Sequence, residues 1–264
     1  MRVVATDLDD TLIWTDRVLR PRTLEALGRV RAAGVDVIVV TGRMVQSLQR
    51  VLPLSLLGEP AICYQGAVVV DADGTWLRHV PIETALAKEA IAAVEAEGYE
   101  PNVYVDDELY VSRMTDRAEA YAAFQGLEVH VVGDARAWLD RPATKIVVVG
   151  DPHELDAVEV RQKRLFENRL TISKSLPHFL EFTALGITKA AGLDFLAGRM
   201  GFTPQQTIAF GDGENDVELV AWAGYGVAVA NAHARVKAVA DWVCPSAADE
   251  GVATVLEALL DSRP

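Results

Sequence analysis

The chain has 264 residues, of which half are apolar, 7% are aromatic and 24% are charged. This composition is typical of a globular protein and excludes a disordered, collagen-like or disulfide-stapled chain, and the length suits one large α/β unit or two smaller ones. Asp and Glu (38) outnumber Lys and Arg (25), and the resulting net charge of −13 repels a polyanion at long range, so we expect no nucleic acid partner.

Strands and helices alternate at the start of the chain. Residues 3–6 form a short apolar run that ends in acidic residues, and residues 21–33 carry leucine and valine at helical spacing. Residues 35–40 and 61–64 are further apolar runs with a helical pattern between them. Strands that alternate with helices predict a parallel sheet.

This alternation is interrupted in the middle of the chain and later returns. Residues 65–79 predict a β-hairpin, and residues 81–183 combine helical patterns with short strands. After Gly186, strands and helices alternate again up to a last amphipathic helix. We therefore predict an α/β protein with a parallel-sheet core from residues 1–80 and 184–264, and an α+β domain inserted at 81–183.

Two features of the chain bear on its location. Cys63 and Cys244 lie far apart and outside any metal-ligand spacing, which favours free thiols in a reducing compartment. The chain reaches Asp7 before a signal-like apolar segment can form, and no apolar run approaches the roughly 18 residues that span a bilayer. We therefore expect a cytoplasmic protein with no membrane partner.

Asp7 and Asp9 follow the first predicted strand. Side chains two residues apart on an extended backbone point to the same side, so the two carboxylates lie together. A cation or a shared proton relieves the repulsion between them, and parallel sheets bind ligands beyond the carboxyl ends of their strands. The pair therefore indicates a metal site, although a solvated acidic turn explains it equally well.

Thr41, Gly42 and Arg43 end the second predicted strand and lead into a helix. A hydroxyl, free backbone N–H groups and the positive end of the helix dipole converge there and favour an anion. The alternative is a turn that only caps the helix, and the tripeptide considered by itself favours this alternative.

Residues 211–216, Gly-Asp-Gly-Glu-Asn-Asp, follow a predicted strand at 207–210. The glycines permit a tight loop, and Asp212 and Asp216 stand four residues apart at a helix start. Mg2+ prefers such oxygen ligands, and the lack of a His/Cys cluster disfavours zinc. A helix cap is the alternative here as well.

Lys189 stands in the first turn of a predicted helix whose N-cap is Thr188. The helix dipole disfavours a cation at this position, so a negative group should compensate for it. A phosphate bound between Lys189, the Thr41 turn and a metal would do so. The alternative is an exposed lysine whose unfavourable interaction with the helix dipole costs only tenths of a kcal/mol.

In this order, the four elements resemble the haloacid dehalogenase superfamily of phosphohydrolases. They match its DxDxT, TGR, Lys and GDxxND motifs, and their spacing is similar to that of the Cof-type sugar phosphatases, which carry a square cap between the second and third motifs. The resemblance covers essentially the whole chain and implies a Rossmannoid core with an α+β cap that selects the substrate.

The resemblance also implies roles for individual residues. Asp7 would be the nucleophile, Asp9 the general acid/base and a backbone ligand of Mg2+, and Asp212 a further metal ligand. Thr41, Gly42, Lys189 and Asn215 would bind the phosphate. Asn215 and Asp216 would hold the phosphate, Lys189 or metal-bound waters.

Two positions depart from the family pattern. Gln65 stands where the family usually has Asn before a glycine, and Ala190 replaces the usual glycine after the lysine, a change that is benign in a helix. Because Gln65 has an extra methylene, we expect its amide to reach into the substrate space and shape leaving-group selection. Arg43 is a second candidate substrate contact.

These residues predict a Mg2+-dependent phosphatase that hydrolyses small phosphorylated metabolites, sugar phosphates in particular, through an aspartyl phosphate. Asp7 can attack phosphorus, Lys189 and the metal can neutralise phosphoryl charge, and Asp9 can protonate the leaving alkoxide and then deprotonate water. The alternatives are a phosphotransferase or phosphomutase on the same fold, and a non-catalytic phosphometabolite sensor.

Overall fold

The computed structural model describes residues 1–53 and 58–261. Within these segments the strands are β1 Val3–Thr6, β2 Asp36–Val39, β3 Ala61–Cys63, β4 Val68–Val70, β5 Trp76–His79, β6 Pro101–Val105, β7 Glu108–Val111, β8 Val129–Val131, β9 Lys145–Val149, β10 Leu170–Leu176, β11 Phe179–Ala184, β12 Thr207–Gly211, β13 Tyr225–Val229 and β14 Trp242–Cys244. The helices are α1 Pro21–Ala32, α2 Val45–Val51, α3 Thr84–Ala96, α4 Asp116–Gln125, α5 Ala135–Trp138, α6 Pro152–Leu165, α7 Lys189–Met200, α8 Val217–Trp222, α9 Ala234–Val239 and α10 Gly251–Asp261. None of the helices in these segments has the length and apolar character needed to cross a membrane.

The chain forms two compact units. The first comprises residues 1–42, 51–77 and 188–264, and the second comprises residues 43–50 and 78–187. The domain boundaries and the role of the inserted segment as a cap stay predictions.

A five-stranded parallel sheet, in the order β14-β13-β12-β1-β2, forms the centre of the first unit. All four residues of β1 are buried, as expected for an apolar strand whose two faces are both covered. On one face, Ile38 of the sheet packs with Leu193 of α7 and Leu219 of α8. The predicted α/β core with a parallel sheet is confirmed.

The strand order decides which loops meet. β1 lies between β2 and β12 and runs parallel to both, so the carboxyl ends of the three strands lie side by side. Asp7, Thr41 and Asp212 each follow one of these ends within two residues. The sheet therefore delivers residues from distant parts of the chain to one edge, where α/β proteins bind ligands.

Two details of the strands differ from the sequence pattern. β3 reaches the parallel sheet only through one parallel bridge between Val40 and Ile62, because the chain reverses at Tyr64–Gly66 and β3 pairs antiparallel with β4. β4 and β5 complete this smaller sheet as the predicted hairpin. β14 was not predicted, because two of its three residues are exposed and leave no apolar run to detect.

A six-stranded sheet, in the order β10-β11-β9-β6-β7-β8, forms the second unit. Its pairs are antiparallel except for β7 with β8. Alternate strand residues, among them Val103, Ile146 and Phe182, pack in one apolar cluster with Ile91 of α3 and Leu155 of α6. This is the α+β arrangement predicted for the middle of the chain.

Asp107, in the turn between β6 and β7, caps helix α2 of the same unit. Its Oδ1 accepts the N–H of Val45 at 3.0 Å, and its Oδ2 accepts the N–H of Gln46 at 2.9 Å. The Gln46 side chain donates in return to the Asp107 carbonyl at 2.9 Å. Since the first N–H groups of a helix have no partner within it, this one carboxylate satisfies two of them.

We expect Asp107→Asn to lower the free energy of unfolding by about 1 to 2 kcal/mol, because the amide nitrogen that replaces one oxygen cannot accept an N–H. Asn tolerates the positive φ of 61° at this position. Asp106→Asn is the matched control, since Asp106 shares the turn and a positive φ of 51° but is exposed. Urea denaturation measures both variants, and equal losses would contradict the capping role.

Candidate active site

Lys189 lies at the buried centre of the candidate site. It is the first residue of α7, and its ammonium donates to Asp7 Oδ1 at 2.5 Å and to Asp216 Oδ1 at 2.6 Å. Thr188 caps the helix by accepting the N–H of Ala191 at 3.1 Å. The negative group expected beside a cation in a first helical turn is thus supplied by two carboxylates of the chain itself.

Asp7 continues from β1 at the edge of the sheet. Its N–H donates to the carbonyl of Phe210 at 3.0 Å, which extends the ladder with β12 by one residue and holds the carboxylate in place. Burial raises the pKa of Asp7 well above its usual range; Lys189 acts in the opposite direction, whereas Asp216 and Asp212 raise it further. The surroundings of Asp7 thus disfavour its charged form, mainly through burial.

The Asp216 side chain closes the loop after β12. Its Oδ2 accepts the N–H groups of Asp212 and Gly213 at 3.1 and 3.0 Å. A glycine is required at 211, since a Cβ there would lie 2.5 Å from the Cβ of Asp216. Asp212 in turn accepts the Thr11 hydroxyl at 2.6 Å. The loop is therefore a tight turn that fixes both of its carboxylates.

Asp7, Asp212 and Asp216 form what we call the acidic cluster, because each offers a carboxylate oxygen within 4.8 Å of the other two. The Lys189 ammonium pairs with two of these carboxylates, those of Asp7 and Asp216. Burial raises the pKa of Asp212 to about 7, and the Asp216 carboxylate adds to the effect. An oxygen-only group with excess negative charge, two of its three carboxylates buried, fits a hard divalent cation such as Mg2+.

Burial by itself would lower the pKa of Lys189, but the carboxylates of Asp216 and Asp7 outweigh it and raise that pKa above its usual range. The ammonium form is thereby stabilised where a phosphoryl group would need a positive charge. The same contacts fix the side chain in one position.

The Thr41 turn lies beside this arrangement in the same unit. Thr41 is buried, its N–H donates to the Ile62 carbonyl at 2.8 Å, and its own carbonyl accepts the N–H of Gln65 at 3.1 Å. Asn215 donates from Nδ2 to Gln65 Oε1 at 2.9 Å. The structure therefore connects Thr41, Gln65 and Asn215, which sequence patterns could only place near the same sheet edge.

Asp9 and Arg43, two further predicted site residues, have contacts of their own. Asp9 is half-buried, and among the described residues its carboxylate does not belong to the acidic cluster; its backbone forms a bridge with Ile13. Arg43 lies in the second unit, where its Nη1 donates to Ser47 Oγ at 3.3 Å. Their expected roles stay predictions.

Asp216, expected to hold the phosphate, Lys189 or metal-bound waters, contacts the same ammonium as Asp7 and also joins the acidic cluster. One contact of the site was not foreseen from the sequence. Thr11 holds Asp212. Thr11 is the threonine of the DxDxT pattern, so the signal was present there, but the pattern alone does not identify its partner.

Comparison with known proteins gives consistent results over nearly the whole chain. The family model described as haloacid dehalogenase-like hydrolase matches residues 4–256. A phosphoglycolate phosphatase of Archaeoglobus fulgidus is 28% identical, over 98% of this chain and 96% of its own. A 5-amino-6-(5-phospho-D-ribitylamino)uracil phosphatase of Bacillus subtilis is 27% identical, over 97% of this chain and 96% of its own. The crystal structure of a haloacid dehalogenase-like hydrolase from Bacteroides thetaiotaomicron has a TM-score of 0.87 at 24% identity, over 98% of this chain and 99% of that one, a likeness that shows the fold alone.

We expect Lys189→Met to lower the free energy of unfolding by about 3 kcal/mol in the presence of a metal chelator, because it leaves two buried carboxylates without their cation. Lys237→Met is the control, since the Lys237 ammonium donates to a carbonyl at an exposed position. Urea denaturation at pH 7 compares the two. A loss for Lys189→Met no larger than for the control would show that Lys189 does not stabilise the site.

Proposed function

The chain belongs to the haloacid dehalogenase-like hydrolase family, and we propose that it is a Mg2+-dependent phosphatase that hydrolyses small phosphorylated metabolites, sugar phosphates among them, through an aspartyl phosphate. The observation that carries the proposal is the Asp7 carboxylate, buried at the end of β1 with the Lys189 ammonium 2.5 Å away. A nucleophile for phosphorus needs to be held in one orientation beside a positive charge, and Asp7 meets both conditions.

The substrate class rests on the relatives. The two named above act on phosphoglycolate and on 5-amino-6-(5-phospho-D-ribitylamino)uracil, which are both small phosphorylated molecules. Their leaving groups differ widely, so the shared part of the substrate is the phosphoryl group. In this chain we assign that group to Thr41, Gly42, Lys189 and Asn215, which surround the Asp7 carboxylate in the proposal.

The reaction proceeds in two displacements at phosphorus. In the first, an Asp7 oxygen forms a bond to phosphorus, the ester P–O bond breaks, and the leaving alkoxide takes a proton from Asp9. In the second, Asp9 removes a proton from water, the water oxygen bonds to phosphorus, and the bond to Asp7 breaks. Inorganic phosphate leaves, and both carboxyl groups return to their starting states.

The acidic cluster is the proposed Mg2+ site. Asp7 and Asp212 would hold the ion through their carboxylates and Asp9 through its backbone carbonyl, with Asp216 as the further carboxylate that the structure brings to the cluster. When bound, Mg2+ would offset the negative charge of the phosphoryl oxygens. Lys189 keeps Asp7 oriented, and Asp216 keeps Lys189 in place.

We assign substrate selection and the exclusion of water to residues 81–183, with Arg43 and Gln65 as candidate contacts to the leaving group. A lid that excludes water suits an intermediate that water destroys. Cys63 and Cys244 are buried thiols that no disulfide joins, which supports the proposed cytoplasmic location.

We expect Asp7→Asn to lower phosphatase turnover at least about a thousandfold, because it keeps the side chain's shape but removes the nucleophile. Release of inorganic phosphate from p-nitrophenyl phosphate is measured for both proteins with Mg2+ and with a chelator. The wild-type protein should be active only with the metal. Near-native turnover of the variant, with deamidation excluded by mass spectrometry, would contradict the mechanism.

We expect Asp9→Asn to slow formation of the aspartyl phosphate more for alkyl than for aryl phosphates, because poor leaving groups depend most on a proton donor, a role worth about 10² to 10⁴ in rate. Single-turnover measurements with both substrate types follow the phosphoenzyme directly. If aryl and alkyl esters lose the same factor, Asp9 is not the general acid.

A further inference from the structure

The loop between β3 and β4 has an unusual backbone. Tyr64, Gln65 and Gly66 have consecutive positive φ angles of 52°, 59° and 106°. Only glycine adopts this region freely, and glutamine tolerates it less well than asparagine does. Strained backbone of this kind persists where surrounding contacts hold it, and it is often found at functional sites.

Contacts of Gln65 account for this conformation. Its N–H donates to the Thr41 carbonyl at 3.1 Å, and its Oε1 accepts from Asn215 Nδ2 at 2.9 Å. Its Nε2 also lies close to Gly42, because a Cβ added to Gly42 would be only 2.4 Å from this nitrogen. The side chain is 4% exposed. One residue thus contacts both the turn after β2 and the loop after β12.

The next residue places the same loop against α7. A Cβ on Gly66 would lie 2.2 Å from the carbonyl oxygen of Thr188, the residue that precedes Lys189. The loop at 64–66 is therefore packed between three segments that each carry a proposed phosphate-binding group. A change in its conformation would shift these segments relative to one another.

We propose that Gln65 is a positioning residue, which sets the distance between the Thr41–Gly42 turn and the Asn215 carboxamide and so shapes the phosphate subsite. This inference rests on the proposed function. It differs from the expectation that Gln65 contacts the leaving group, because here its amide oxygen is already bonded to Asn215. The length of the side chain matters, since asparagine at 65 would be one methylene too short to make this bond.

A positioning role, a contact with the leaving group and a purely structural role predict different behaviour. A positioning residue acts on the phosphoryl group that all substrates share, so its loss weakens binding of every phosphate ester and of inorganic phosphate by the same factor. A leaving-group contact changes the ranking of substrates and leaves inorganic phosphate binding unchanged. A residue that serves only the stability of the loop changes the unfolding midpoint and neither form of binding.

The test uses Gln65→Asn, Gln65→Met, Asn215→Ala and the double variant of Gln65→Met with Asn215→Ala. Gln65→Met keeps the chain length and the backbone strain but removes the hydrogen bond, whereas Gln65→Asn eases the strain and shortens the reach. Gln205→Asn, the same change at an exposed position of the first unit, is the control. Each protein is assayed with Mg2+ for inhibition by inorganic phosphate, for KM and kcat with three sugar phosphates, and for the shift of its unfolding midpoint by phosphate.

We expect Gln65→Asn and Gln65→Met each to weaken phosphate inhibition and raise every KM about five- to tenfold, the range of one lost hydrogen bond. Gln65→Asn should do so without a lower unfolding midpoint in the absence of phosphate. In the Asn215→Ala background, Gln65→Met should have less than a twofold further effect, because the partner is already gone.

Unchanged phosphate inhibition in both Gln65 variants, or a full additional loss in the double variant, would overturn the inference. Failure of the proposed function would give a different result. The wild-type protein itself would then release no phosphate from any ester and would show no phosphate-dependent shift of its unfolding midpoint.

Discussion

The buried ammonium of Lys189 joins parts of the chain that are far apart in sequence. It bonds to Asp7, 182 residues away, and to Asp216, 27 residues away. A charge that is only 1% exposed is tolerated because it has such partners, and each carboxylate depends on the ammonium in the same way. Asp216 in turn closes the loop that carries Asp212, so the position of one lysine determines the geometry of the acidic cluster.

The electrostatics of the site follow from this arrangement. The Lys189 ammonium bonds to two of the three carboxylates of the acidic cluster, at positions where burial makes charge interactions stronger than in water. Burial is the main cause of the raised pKa of Asp7 and of that of Asp212, about 7, and the neighbouring carboxylates add to it as an excess of negative charge. A divalent cation would offset the same excess, and for that reason the geometry and the proposed cofactor support each other.

Strained backbone and tight glycine contacts lie around the site, whereas the sheet that carries it is regular. The five strands of the central sheet, β14-β13-β12-β1-β2, pair in parallel register, while the loop at 64–66 holds left-handed conformations next to the Thr41 turn and Thr188. A parallel sheet can hold such loops because its inner strands, β13, β12 and β1, are each hydrogen-bonded to a neighbouring strand on both sides. This arrangement is common in α/β proteins, in which the strands position the loops and the loops carry the functional residues.

Local sequence patterns were sufficient for most of the fold. The apolar runs at 3–6, 35–40 and 207–210 predicted strands that the structure contains, because burial on both faces requires such runs. They also predicted the interruption by an α+β segment and placed acidic residues at strand ends. The need for a negative partner for Lys189 followed from the helix dipole alone.

Tertiary structure decided which residues became partners. The contact of Asp216 with Lys189 joins residues 27 positions apart, and that of Asn215 with Gln65 joins residues 150 positions apart. Asp107 lies 61 to 62 positions from the N–H groups of α2 that it accepts. Local propensity specifies the state of a segment, whereas the neighbours of a loop depend on strand order and on how closely backbones approach, which no short window of sequence contains. The sequence by itself therefore determined the chemistry available at this sheet edge, and the order of the strands determined how those groups were combined.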